Sequence, residues 1–597
     1  MKNKILLSAL ALFGSIAFTS CSDFIDGKMK SDIDADAYFN TAEGFENLTT
    51  TAYYKLRNLY GGSPTLFCSG TDLYTKGRSN YESAALSLYK DLNASDANVL
   101  SFYKNCYDGI QQCNTVLNYS GSTADSKAAV RTDEAKVLKA YYYYLLSQQF
   151  GGVPISDSYI ASVQNDFPRQ SQDSVYNYII GQLKTVEAAG NLPSDDHTGR
   201  VSMRFLYNLM AKTYLAYGWD YGTKANADGS GVTVTDKTNF ANAAQYADKA
   251  IDGKTPSLSF SDMWNVANED NADIIFAVKY TRDIAGQNEE EDGNNQDAQF
   301  ANYYNDDSGA GGLGLTKYTT SQYPASEKLL YLFEPGDNRF DGTFMVEQLK
   351  EYKRWYNSAQ KDTSSVYGYY PAWYEDLSTL AEYQPSETRK TNAKVYSSSN
   401  PSIYINASYN KRTGKTTYKK GTQTYETSRT NTGQSLCVRK FDDYNATRKG
   451  TNKVSFHDIV LAHLTETYLI GAEAYYMAGN EPKALEYVNV VRARSNADLL
   501  TSFASYKRHY SDGTDKSYNS GSGIDNVPFV TNLDPIDVIL DERARELCGE
   551  YYRWMDLRRT KRLVSYNIDC NGLSADDFIG ADGQYRWFRP FPQDEIN

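Results

Sequence analysis

Cys21 is the side chain whose surroundings prescribe a definite reaction. It ends the run Thr19-Ser20-Cys21, which follows an apolar stretch from Ile5 to Phe18 and the positive charges of Lys2 and Lys4. That stretch is short for a bilayer span and has the make-up of a secretory leader. A thiol at the cleavage point is the acyl acceptor of a bacterial lipoprotein and becomes the new N-terminus. The position three before it is Phe18, where Leu is usual. The expectation is a leader over residues 1–20, an acidic tether over 21–37, and an acyl-anchored mature chain. An ordinary leader with an incidental cysteine is the alternative.

Other groups suggest bond chemistry less well. Glu542 and Glu546 lie one helical turn apart, the spacing of a carboxylate pair for acid–base work. Arg543, Arg545 and Arg553 stand beside them, so an ion-pair network locking helices together is the stronger reading. The four histidines, His197, His457, His463 and His509, form no HExxH, and His457 and His463 are six apart, off the one-turn metal spacing. There is no GxSxG and no Walker sequence. Gly309 to Gly314 satisfies GxGxxG but lacks a strand before it and a periodic helix after it. The acidic run from Glu289 to Asp297 offers oxygens for a structural Ca²⁺, yet it fits no EF-hand spacing and reads better as a solvated loop. The cysteines beyond Cys21 (Cys68, Cys106, Cys113, Cys437, Cys548 and Cys570) show no metal pattern. Cys106 and Cys113 would sit about 10 Å apart on one helix, too far to bridge, so any disulfide is long-range. The expectation is no catalytic residue and no cofactor, with structural Ca²⁺ left open.

These groups need elements to hold them. The chain of 597 residues is long enough for large cores. Loss of Lys2 and Lys4 with the leader would take the formal net charge from −13 to −15. That sign disfavours nucleic acid and anionic membrane surfaces and suits a neutral ligand. Tyr is unusually frequent, 52 residues against 24 Phe and 6 Trp. Its flat face and polar tip serve helix packing and sugar stacking alike. Apolar spacing predicts helices over Thr41 to Asn58, Asp133 to Phe150, Gln172 to Ala189, Val201 to Tyr217, Phe240 to Ile251, Phe456 to Met477, Pro482 to Ser495 and Pro535 to Arg562, with a strand at Asp273 to Val278. Between about 282 and 453 the periodicity fades and Gly, Asn, Ser, Thr and Tyr dominate. A structureless loop of that length is improbable in a compact domain, so this is read as an irregular subdomain. Two hairpins share an aromatic, a turn glycine and small residues: Tyr214, Gly218, Ala243, Ala247, Ala250, and Tyr475, Gly479, Ala484, Val488, Val491. That is the packing logic of tetratricopeptide-like pairs, with generic hairpins the alternative.

The C-terminal third carries Ala472-Glu473-Ala474-Tyr475 through Gly479, Asn489-Val490-Val491-Arg492-Ala493-Arg494, Ile539-Leu540-Asp541-Glu542-Arg543-Ala544-Arg545-Glu546-Leu547, and the tail Phe588-Arg589-Pro590-Phe591-Pro592. Phe591 stands where P-I-P would have Ile. Glu134-Ala135-Lys136 to Tyr144 and Phe150-Gly151-Gly152-Val153-Pro154 lie in the N-terminal half. In this order the set resembles the SusD/RagB family of nutrient-binding lipoproteins of Bacteroidetes-type bacteria.

The resemblance implies a mainly α fold of tetratricopeptide-like hairpins supporting a loop-rich subdomain. It divides the mature chain into an N-terminal helical region (38–281), an aromatic-rich ligand-binding subdomain (282–453) and a C-terminal helical region (454–597). It implies a cell-surface, outer-membrane, lipid-anchored protein that binds a glycan and delivers it to a SusC-like TonB-dependent transporter without bond chemistry. The ligand face would be built from the loop after the first helices and from the central region. The residues at those places are Asp72, Tyr74 and Arg78, then Tyr318, Tyr323, Trp355, Tyr370 and Trp373. Aromatics would stack on sugar rings, and Asp72 and Arg78 would bond hydroxyls. Three alternatives stay open: a peptide ligand, a secreted helical glycoside hydrolase with two facing carboxylates, and a helical scaffold with no small ligand.

Overall fold

The computed structural model describes residues 35–62, 64–74, 84–89, 91–162, 164, 166–282, 292–300, 323, 325–349, 356–357, 359, 366–369, 372–374, 394–395, 408–410, 415–420, 423–428, 436, 438–444, 455–509, 529–571 and 573–593. Among these, helices carry the architecture. The first is α1 (Ala42–Tyr60), where the Thr41 hydroxyl accepts the Gly44 N–H at 3.0 Å and Phe45, Leu48, Ala52 and Leu56 turn inward. Then come α2 (Ala97–Tyr119), capped by Asp96, and α3 (Ala128–Phe150). Gly109 lets these two approach closely: a Cβ there would lie 2.3 Å from the Tyr142 ring. Tyr141, Tyr142, Tyr143 and Tyr144 are all buried in α3. Four consecutive tyrosines facing every direction mean that this helix is surrounded on all sides.

Next follow α4 (Gln172–Ala189), α5 (Met203–Tyr221), α6 (Thr238–Ile251) and β1 (Ile274–Val278), then a short α7 (Glu327–Leu332). The C-terminal part holds β2 (Ile459–His463), α8 (Leu464–Ala478), α9 (Glu481–Arg494), the two-residue strands β3 (Arg508–His509) and β4 (Phe529–Val530), α10 (Pro535–Glu546), α11 (Arg553–Arg559) and α12 (Leu563–Asn571). The two expected hairpins are α5–α6 and α8–α9. Gly218 sits against the Phe240 ring and Gly471 against the Tyr487 ring. The pairs join where Tyr475 and Tyr487 both donate to the Asp248 carboxylate.

Two expected helices differ from what is found. Phe456 to Met477 opens as strand β2, which pairs antiparallel with β1 and is buried along its whole length. A short apolar run buried on both faces has no period that separates strand from helix. Pro535 to Arg562 breaks after Glu546, because Gly549 takes φ +81° and Tyr551 φ +58° before α11 begins. Helices α2 and α12 complete the bundle.

Both ends of the described chain belong to one core. The β1–β2 ladder ties the two halves together, and the tail returns to the N-terminal helices. Arg589 is buried; its guanidinium donates to the carbonyls of Ser69, Leu66 and Leu86, and its N–H to the Gln149 carbonyl at 2.8 Å. Phe588 covers Gly151, and Phe591 packs on Tyr103 and Phe150. The tail motif and the Phe150–Pro154 motif are therefore two sides of one contact.

Helix α10 carries the expected ion-pair network that locks helices together, and carries it in the interior rather than at a helix surface. Asp541, Glu542, Arg543, Arg545 and Glu546 are as buried as its apolar residues. Glu542 meets Arg339 (2.6 Å), Arg492 (2.9 Å) and Arg545, and Glu546 meets Arg339 (3.2 Å) and Arg494. Burial alone would raise both carboxyl pKa values, but the surrounding guanidinium groups hold them well below the usual range. Arg558, Arg559 and Lys561 also turn inward: Arg558 and Lys561 meet Asp220, and Arg559 binds Glu473 through two 2.8 Å hydrogen bonds. Among the described cysteines, Cys106, Cys113 and Cys548 form no disulfide; Cys437 lies outside the described residues.

Candidate functional site

The loop after α1 is a buried plug. Asp72 has no exposed surface, and Arg553 binds both its oxygens at 2.7 Å while Lys328 adds a 2.6 Å contact. Burial would raise the Asp72 carboxyl; Arg553 and Lys328 instead hold it well below the carboxylate range. The backbone is pinned as well. Gly70 takes φ +71°, its carbonyl accepts from Tyr89 and Asn567, the Thr71 carbonyl accepts from Asn571, and Ser326 bonds the carbonyls of Asp72 and Leu73.

Tyr74 is buried beside this plug. Its hydroxyl accepts the Gly549 N–H at 2.6 Å, and its ring packs on Phe300 and Tyr323. The buried Tyr323 directs its hydroxyl to Thr65 at 3.3 Å. Trp373 donates its indole N–H to the Phe333 carbonyl at 2.8 Å and stacks between Tyr331 (5.6 Å, 15°) and His509 (4.8 Å). These placements correct the expectation for Asp72, Tyr74, Tyr323 and Trp373. Each is an internal anchor whose face or charge is already engaged within the protein. Arg78, Tyr318, Trp355 and Tyr370 lie outside the described residues, as do Cys21 and the Gly309–Gly314 motif.

What the structure brings together is the set of described flanks of the aromatic-rich segments. Tyr74 pairs with Ala325 in an isolated bridge, Tyr323 touches Tyr74, and Lys328 of α7 reaches Asp72. Lys328 also sits 3.6 Å over the Tyr566 ring, and Arg508 of β3 bonds Tyr566 and both oxygens of Asp541. From Arg508 the chain passes to His509 and so to Trp373. Residues distant in sequence thus meet on a single ion-paired floor. Arg553, Lys328, Arg508 and Tyr566 were not expected at this place. The charged motif of α10 and α11 was a signal for them, since a surface helix needs no such concentration of arginine.

The remaining candidates for chemistry are accounted for by packing. His463 bonds Glu550 at 2.7 Å and caps α8. His457 is buried, with ring nitrogens toward the carbonyls of Asp458 and Trp264. Residues 293–297 of the acidic run fold inward rather than standing in solvent: Asn294 bridges Ser455, and the Asn295 N–H meets the Gly61 carbonyl. Among the described residues no group of three or more His, Cys, Asp or Glu is disposed to hold a metal ion, and no helix is long and apolar enough to cross a membrane.

Among the described residues, the fold is a helical body with one buried ion-paired floor. Comparison with known proteins then gives the family. The SusD family profile matches residues 272–597, and a SusD-like profile described as starch-binding associating with outer membrane matches residues 23–215. The chain belongs to the SusD family. A curated relative, SusD-like protein P38 of Formosa agariphila, is 32% identical over 136 residues, which span 22% of each chain. The match thus covers about a fifth of that relative's length. Among solved structures, a laminarin-binding SusD-like protein superposes with TM-score 0.61 at 20% identity, covering 94% of this chain and 98% of its own. Surface glycan-binding protein A from Bacteroides thetaiotaomicron, in complex with laminarihexaose, gives TM-score 0.55 at 18% identity, covering 93% and 97%. At those identities the likeness is one of fold.

Proposed function

We propose that this protein is a cell-surface glycan-binding protein that captures an oligosaccharide and hands it to a SusC-like TonB-dependent transporter in the outer membrane, where Cys21 anchors it through acyl chains. It is a binding protein and not an enzyme. The observation that carries this reading is the shared floor built from Asp72, Arg553, Lys328, Arg508 and Tyr566, where the described flanks of the aromatic-rich segments meet. The polar groups of this floor are spent on one another, which suits a neutral ligand held by aromatic and hydroxyl contacts. The acidic net charge supports the same choice over a polyanionic partner. The laminarin-binding and laminarihexaose-bound proteins of the same fold support it. The most tempting catalytic pair, Glu542 and Glu546, is sealed and neutralised by arginines, so neither carboxylate is free to trade protons. No cofactor is needed.

The test is an array of soluble oligosaccharides and peptides probed with the mature chain, followed by calorimetry and a reducing-end assay on each hit. Saturable binding to an oligosaccharide without new reducing ends is expected. Binding confined to peptides would replace the glycan by the RagB-like alternative, and released reducing ends would make it a hydrolase.

A further inference from the structure

Beside the Trp373–His509 stack lies a cleft of about 460 Å³. Its size falls within the range of roughly 300–1,000 Å³ typical of small-ligand sites. One wall is the turn after α9, Asp498-Leu499-Leu500-Thr501; the other is the β3–β4 ribbon with Lys507, His509 and Phe529; Glu334 and Arg492 close the base.

The cleft is built by a motif that the function above leaves unused. Asn489 of the Asn-x-Val-Arg-x-Arg helix clamps Leu500 in both directions, donating to its carbonyl and accepting its N–H, each at 2.9 Å. Arg492 donates to the Asp498 carbonyl at 2.6 Å while bound to Glu542 and to Glu334 (2.7 Å). The opposite wall is held by Arg508 on Asp541. Both sides are thus fixed to the buried network of α10, so the opening is preorganised.

Its lining is half aromatic or aliphatic and half polar. Phe529 is 44% exposed and Leu499 58% exposed, two large apolar side chains at one opening. Lys507 stands 4.9 Å from the Phe529 ring centroid, and His509 flanks that ring at 5.6 Å. The exposed groups Asp498, Thr501 and Lys507 and the half-buried Glu334 line the same opening. The charges of Glu334 and Asp498 offset those of Arg492 and Lys507, so a charged polymer gains nothing here, while a ring with an apolar face and hydroxyl edges finds both partners.

We propose that this cleft is a saccharide subsite that seats one neutral sugar ring on Phe529, its hydroxyls bonded by Asp498, Glu334 and Lys507. The proposal rests on the glycan-binding reading. The experiment titrates the tightest oligosaccharide from the array into the full mature chain as wild type, Phe529→Ala and Phe529→Tyr, with melting curves to show that each is folded. The expected result is at least a tenfold loss of affinity in Phe529→Ala, recovered in Phe529→Tyr, which keeps the stacking face. Affinity and stoichiometry unchanged in Phe529→Ala overturn the subsite and leave glycan binding standing. A loss that Phe529→Tyr fails to restore also overturns it, because it reports damage to the ribbon. A wild type that binds no oligosaccharide overturns both, so the two failures are distinguishable.

Discussion

Arg553 spans from α11 to the plug at Asp72, and both side chains are buried. Taking away one partner of such a pair leaves the other charge uncompensated, at a cost of about 3–5 kcal/mol. Arg553→Ala should lower the unfolding free energy by that amount in urea titrations, even though Lys328 remains. Glu269 and His457 give a pH dependence of opposite sense to the arginine-bound acids. Burial pushes Glu269 up to about 7, with Asp458 adding to the effect and His457 opposing it. Burial alone would lower His457, but Glu269, 3.6 Å from its Nδ1, raises it. Both groups hold protons more tightly folded than unfolded. Their contribution is therefore complete below the unfolded pKa and is lost as pH rises through the folded one. The Tm should fall between about pH 5 and about pH 8, and Glu269→Gln should flatten the lower part of that fall. Asp72, Glu542 and Glu546, held low, contribute at neutral pH and lose that contribution only in strong acid.

At the scale of elements, the break between α10 and α11 directs both helices. Gly549 lies in the left-handed region, and a Cβ there would fall 2.3 Å from the Phe441 ring. Gly549→Ala should cost about 2 kcal/mol or more through strain and overpacking, read from the urea midpoint. Gly121→Ala, with no atom within 4 Å of its Cβ, is the neutral control. The helices were legible where one face stays apolar. Gln172–Ala189 matches its expected bounds, and α6 and α9 lie within two residues of theirs. Strand β2 and the break at Gly549 were not legible. Burial on every side erases the period in the first case, and in the second one backbone angle interrupts an otherwise helical pattern.

For the whole molecule, the proposed acyl anchor at Cys21 would set where the protein acts. Cys21→Ala should abolish incorporation of labelled fatty acid and release the protein from membrane fractions; retained label would place the anchor elsewhere. The ordered motifs at both ends of the chain made the family legible, because each is a contact surface kept in sequence: the tail closes on the Phe150–Pro154 turn, and α10 on α9. The sequence by itself determined the helical class and the family. It did not determine which aromatics are available to a ligand. Tyr and Trp serve a core and a sugar equally well, and only the positions of partners distant along the chain decide between them. Tertiary structure turned Asp72, Tyr74, Tyr323 and Trp373 into anchors by supplying Arg553, Gly549, Thr65 and the Phe333 carbonyl from elsewhere in the fold. By the same means it left Phe529 exposed at the edge of the cleft.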